Sequence, residues 1–135
     1  MDYLKDPLFL RQIIMDHYEN PRNYEKGPFD DSVSIRKKSD SCIDDLSFEL
    51  VFEDDRIKDI SFSGHACTIA SSSASIMTEM VKGKRIEEVL KMMDEFDKMM
   101  RLEAYDEDLM REANAFQNVG RQANRILCAR LGWDA

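Results

Sequence analysis

The sequence predicts an α+β fold, a three-stranded antiparallel sheet with helices packed on one face. Three observations carry that expectation. Apolar residues alternate with polar ones between Val33 and Phe62, the period of half-buried strands. The connections within that region are short, as in a meander with one face packed and one face wet. Beyond Gly64 the period lengthens to that of helices and stays helical to the end of the chain.

Each element has its own signal. Asp6-Pro7 is a helix start, with Asp as N-cap and Pro in the first helical position. Leu10, Ile13, Ile14 and His17 then share one face, until Asn20-Pro21-Arg22-Asn23 stops the helix and Gly27-Pro28 holds the next segment in a loop. His17 on that face reads as a packed histidine bonded to the following loop rather than as a ligand. Val33 and Ile35 mark the first strand. Leu46, Phe48, Leu50 and Phe52 mark a second over Asp45 to Glu53, and Ile57, Ile60 and Phe62 a third whose uneven spacing suggests a bulge. Thr68 to Val81 is a helix closed at Lys82 and Gly83, and its small residues over the first two turns suit close packing on a sheet. Ile86 to Met100 is another, with Val89, Leu90, Met93 and Phe96 expected inward. Methionines crowd these helices, as flexible core filler or as an adaptable docking surface. Arg101 to Ala115 is acidic and partly helical, with the look of an insertion. A last helix spans Val119 to Leu131, with Ala123, Ile126, Leu127 and Trp133 inward.

At 135 residues, 43% of them hydrophobic, the chain suffices for one domain with one core, taken here as 1–135. A formal net charge of −8 without a basic stripe argues against nucleic acid or an anionic membrane as partner. The acidic surface is either a solubility device or a face for a basic protein partner. No apolar run has the length of a membrane span, and Met1 to Asp6 lacks the form of a leader, so a cytoplasmic location is expected.

Three cysteines are too few for a disulfide scaffold. Cys67 falls where a strand turns through Gly64 into a helix, a position whose unpaired N–H groups and dipole suit a thiolate. Cys42 lies in the loop before the second strand, two residues from Asp44, and Cys128 lies in the last helix. Their spacings match no zinc knuckle. The residues alone leave two readings open: three unrelated buried thiols, or three thiolates and one carboxylate gathered at one end of the sheet, a donor set that suits tetrahedral Zn²⁺.

Three motifs now point to a family. Leu10-Arg11-Gln12-Ile13-Ile14-Met15-Asp16-His17-Tyr18-Glu19-Asn20-Pro21-Arg22-Asn23, the segment from Phe62 through Cys67 to Met77, and Ile126-Leu127-Cys128-Ala129-Arg130-Leu131-Gly132-Trp133 together resemble the IscU/NifU-type iron–sulfur assembly proteins. Leu127 where IscU proteins carry histidine, the absence of a Leu-Pro-Pro-Val-Lys motif, and the insertion-like Glu103–Ala115 region resemble the SufU branch. That resemblance implies the SufU/IscU-like version of the fold. It also implies a zinc-dependent sulfurtransferase taking persulfide sulfur from a SufS-type cysteine desulfurase and handing it to a downstream iron–sulfur assembly scaffold. Cys42, Asp44, Cys67 and Cys128 would hold Zn²⁺, Cys42 would be the sulfur acceptor, and Arg125 would stand near the site in partner or persulfide contact. The alternatives are a scaffold assembling a [2Fe–2S] cluster on the same residues, and a zinc-stabilised adaptor that regulates the desulfurase. Ile43 and Lys38-Ser39-Asp40-Ser41 depart from the family's Cys-Gly-Asp loop and its preceding Asn-Pro; Ile43 stiffens the loop that carries Cys42.

Overall fold

The structure, a computed structural model, describes residues 6–27, 29, 32–38, 45–117, 129–130 and 133. Helix α1 (Pro7–Glu19) starts where the sequence places it: the Asp6 carboxylate accepts the Leu8 N–H at 3.0 Å, with Pro7 in the first turn. Strands β1 (Val33–Lys38), β2 (Asp45–Glu53) and β3 (Arg56–His65) form one antiparallel sheet in the order β1-β2-β3. Between Val51 and Phe52 the β3 partner passes from Asp59 to Ile57, skipping Lys58. This is the expected bulge, and it is why Ile57 and Ile60 both reach the core despite their odd spacing.

One face of the sheet carries Leu46, Phe48, Ile60 and Phe62, each no more than 2% exposed. Phe48 and Phe62 are cross-strand partners, and their rings stack with centroids 6.0 Å apart. Helix α2 (Thr68–Val81) packs there, its buried Ala70, Ser72, Ser73 and Ala74 allowing a close approach. The buried hydroxyls are satisfied along the helix or across it. Ser72 Oγ donates to the Thr68 carbonyl and Ser73 Oγ to that of Ala129.

Helix α3 (Ile86–Met100) buries Met92, Phe96, Met99 and Met100, with Val89 and Met93 packed alongside. Leu90, expected inward, is 58% exposed. At 100° per residue it lies about 120° from Phe96, the centre of the buried stripe, so hydrophobicity alone draws the face too wide. The methionines of this stripe are core. Trp133 is inward as expected and stacks on Phe96 at 4.7 Å. The rest of the expected last helix, from Val119 to Cys128 and at Leu131, lies outside the described residues.

The insertion-like region holds a short helix α4 (Glu107–Met110) followed by a 3₁₀ helix (Arg111–Phe116). It is an integral part of the core: Met110, Ala113 and Phe116 are fully buried. Tyr105 donates its hydroxyl to Asn114 at 2.6 Å, and the buried Glu95 carboxylate accepts the Asp106 N–H. His17 joins three elements. Its Nδ1 meets Ser75 Oγ on α2 at 2.8 Å and its Nε2 meets the Glu112 carboxylate at 2.7 Å. Ser75 Oγ also accepts the Arg22 N–H, so one hydroxyl links His17 to the segment after α1. The expectation of a packed histidine holds, but its partners come from α2 and the 3₁₀ helix, with the following loop reached only through Ser75.

Candidate metal and sulfur site

The β3–α2 corner is built from backbone constraints. Gly64 has φ +111°, and a Cβ there would collide with the Asp45 carbonyl oxygen. Only glycine fits the turn. Two residues past the end of β3's pairing, Cys67 is the N-cap of α2: its backbone is extended and its Sγ accepts the Ala70 N–H at 3.5 Å. Cys67 is half-buried as a residue, and its sulfur stands at the helix N-terminus.

The sheet register places other segments at this end. Lys38 pairs with Asp45, so the loop carrying Cys42 and Asp44 leaves β1 and enters β2 at one point. Asp45 in turn pairs with His65, two residues before Cys67. On the third side, the Ala129 carbonyl bonded to Ser73 puts the residue after Cys128 against the first half of α2. The ends of the Cys42–Asp44 loop thus lie beside the end of β3, and Ala129 meets α2 at Ser73. Cys42, Asp44, Cys128 and Arg125 themselves lie outside the described residues, and among the described residues no three metal-ligating side chains come together.

Around the corner stands a set of groups the sequence reading did not single out. Arg36 grips Asp45 with two hydrogen bonds, Nε to Oδ1 at 2.9 Å and a terminal nitrogen to Oδ2 at 2.6 Å, steadying the residue next to Asp44. Arg36 and Asp45 lie on different strands, nine residues apart in sequence, and only the register brings them together. His65 is exposed on β3 beside them. Tyr24 reaches in from the segment after α1 and donates its hydroxyl to the Gly64 carbonyl at 2.9 Å; burial, with Glu25 nearby, raises its pKa above the usual phenol value.

The NifU-like N-terminal domain profile matches residues 10–130. The chain belongs to that family. It is 40% identical over 126 residues to the zinc-dependent sulfurtransferase SufU of Bacillus subtilis, an alignment covering 93% of this chain and 84% of that protein. It is 33% identical over 123 residues to the iron–sulfur cluster assembly scaffold protein IscU of Thermotoga maritima, covering 90% and 85% respectively. Among solved structures, SufU of Fervidobacterium islandicum AW-1 superposes with a TM-score of 0.81 at 28% identity, covering 91% of this chain and 90% of that one. These neighbours bear out the SufU/IscU-like fold expected from the three motifs. Among the described residues no helix is long and apolar enough to cross a membrane.

Proposed function

We propose that this NifU-family chain is a zinc-binding sulfur acceptor for iron–sulfur cluster assembly, with Cys42, Asp44, Cys67 and Cys128 holding Zn²⁺ and a cysteine desulfurase of the SufS type as sulfur donor. The observation that carries the reading is Cys67 itself, a half-buried cysteine whose sulfur caps α2 at the sheet end where the Cys42–Asp44 loop departs. The similarity to a zinc-dependent sulfurtransferase over most of both chains supports the choice of chemistry. The donor set fits the ion: three thiolates and one carboxylate make a neutral-pH tetrahedral Zn²⁺ site, and the carboxylate is its most readily displaced member. Bound there, Zn²⁺ would keep the cysteines deprotonated without adding redox chemistry.

The work of the chain's own residues is then nucleophilic. The Cys42 thiolate attacks the terminal sulfane sulfur of the desulfurase persulfide. A new S–S bond forms on Cys42, the S–S bond in the donor breaks, and the donor cysteine leaves as a thiolate. No net oxidation occurs. Cys67, fixed by its cap and by the Gly64 turn, serves as an anchor rather than as the moving group. Arg125 would supply positive charge to the incoming persulfide.

The test is turnover of the desulfurase with and without this protein, with mass spectrometry of the reacted chain. One additional sulfur atom on Cys42, and loss of stimulation in Cys42→Ala, are the expected results. Full stimulation by Cys42→Ala removes Cys42 from the role; partner binding with sulfur never appearing on Cys42 favours the adaptor. The identity to IscU scaffolds supports a second reading, a [2Fe–2S] cluster on the same thiolates. Anaerobic purification with metal analysis separates the two, since zinc without iron–sulfur absorbance excludes a resting cluster.

A further inference from the structure

The segment between α1 and β1 contains the inference. Residues 22–27 run alongside β3 as an added edge. The Phe62 N–H donates to the Asn23 carbonyl at 2.9 Å, the Glu25 N–H donates to the Phe62 carbonyl at 2.8 Å, and the Lys26 N–H donates to Ser61 Oγ at 2.8 Å. On its other side the segment is tied to α2, Arg22 N–H to Ser75 Oγ and Asn23 Nδ2 to Thr78 Oγ1. Tyr24 sits in the middle, its ring edge-on to Phe62 at 5.1 Å and its hydroxyl on the Gly64 carbonyl.

The backbone on both sides of Tyr24 is left-handed. Asn23 has φ 57° and Glu25 φ 53°, left-handed values that a glutamate adopts only under constraint. These two residues bracket Tyr24, whose side chain reaches the corner from this segment. The carbonyl it reaches belongs to the peptide linking Gly64 to His65, which steers the chain out of β3 toward Cys67.

We propose that Tyr24 is a positioning residue for Cys67: its hydroxyl, fastened by a strap between α2 and β3, fixes the Gly64 peptide and so the direction in which Cys67 is presented to the metal. This rests on the zinc reading above and extends it to a residue outside the ligand set. Tyr24→Phe keeps the ring against Phe62 and removes one oxygen. Tyr105→Phe is the matched control, removing a part-buried tyrosine hydroxyl bonded to Asn114 in the insertion region.

Three measurements decide it on the whole protein: Zn²⁺ affinity by chelator competition, the ligand-field spectrum of the Co²⁺-substituted form, and the alkylation rate of Cys67 in metal-free protein. Loss of one neutral hydrogen bond predicts affinity weaker by about three- to tenfold in Tyr24→Phe. The Co²⁺ bands shift and Cys67 alkylation quickens. Tyr105→Phe leaves all three at wild-type values, although urea unfolding shows both variants folded and comparably destabilised. Unchanged metal binding, spectrum and alkylation in Tyr24→Phe overturns the proposal, as does an equal change in Tyr105→Phe. If instead Cys67→Ser binds Zn²⁺ as tightly as wild type, the zinc reading fails first and takes this inference with it.

Discussion

Gly64 and Gly83 both have positive φ, +111° and +79°, but they meet different surroundings. At Gly83 a Cβ would find nothing within 4 Å, so Gly83→Ala carries only backbone strain, roughly 1 kcal/mol. At Gly64 the same methyl is driven into the Asp45 backbone, which cannot move without breaking the β2–β3 register. Gly64→Ala is therefore expected to destabilise by roughly 3 kcal/mol or more, combining strain with a backbone clash. Urea midpoints of the two variants check this, and equal losses would mean that the corner relaxes freely. The Arg36–Asp45 pair beside it is solvent-exposed on the arginine side and contributes little to stability by itself, whatever its value in steadying the loop.

At the scale of elements, the region from Arg101 to Phe116 behaves as core rather than as appendage, and Tyr105 gives it a pH signature. Burial raises the Tyr105 pKa from 10.0 to about 12, with Glu107 nearby adding to the shift. Folding favours the neutral phenol, so the native state holds this proton more tightly than the unfolded chain. The resulting stability is complete below pH 10 and is lost as pH rises toward 12. Wild type should lose stability over that window faster than Tyr105→Phe, measured by unfolding midpoints at successive pH values; parallel curves would refute the assignment. The elements that could be read from the sequence were those whose signal is local. The alternation of Leu46, Phe48 and Leu50 gives β2, and Gly64 followed by small residues gives α2 with Cys67 at its start. His17's partners could not be read, because they stand 58 and 95 residues away along the chain. Leu90 was misread because hydrophobicity alone does not locate the centre of a helical face. Of the candidate site, Cys67 is legible from the strand–helix turn around it and Cys42 from its loop beside Asp44, while Tyr24, whose contact lies 40 residues off, carries no sequence signal.

For the whole molecule the question is what a metal adds to a fold that already has a core. Leu46, Phe48, Ile60, Ile76, Phe96 and Phe116 are buried to 1% or less exposure and include no proposed ligand; Cys67 lies at the core's margin. A fold of this kind differs from a zinc finger, whose architecture forms only with its ion. Chelation should accordingly leave the far-UV circular dichroism nearly unchanged. It should still lower the melting temperature, because an ion that binds only the native state stabilises it by mass action. At a free concentration a hundred times the dissociation constant the gain is about 2.7 kcal/mol, which for a chain of this length corresponds to roughly 10 °C. The shift should grow with the logarithm of free Zn²⁺ and vanish in Cys67→Ser. A collapse of secondary structure on chelation would make the ion architectural, and a melting temperature indifferent to zinc would leave the cysteines without their proposed ion.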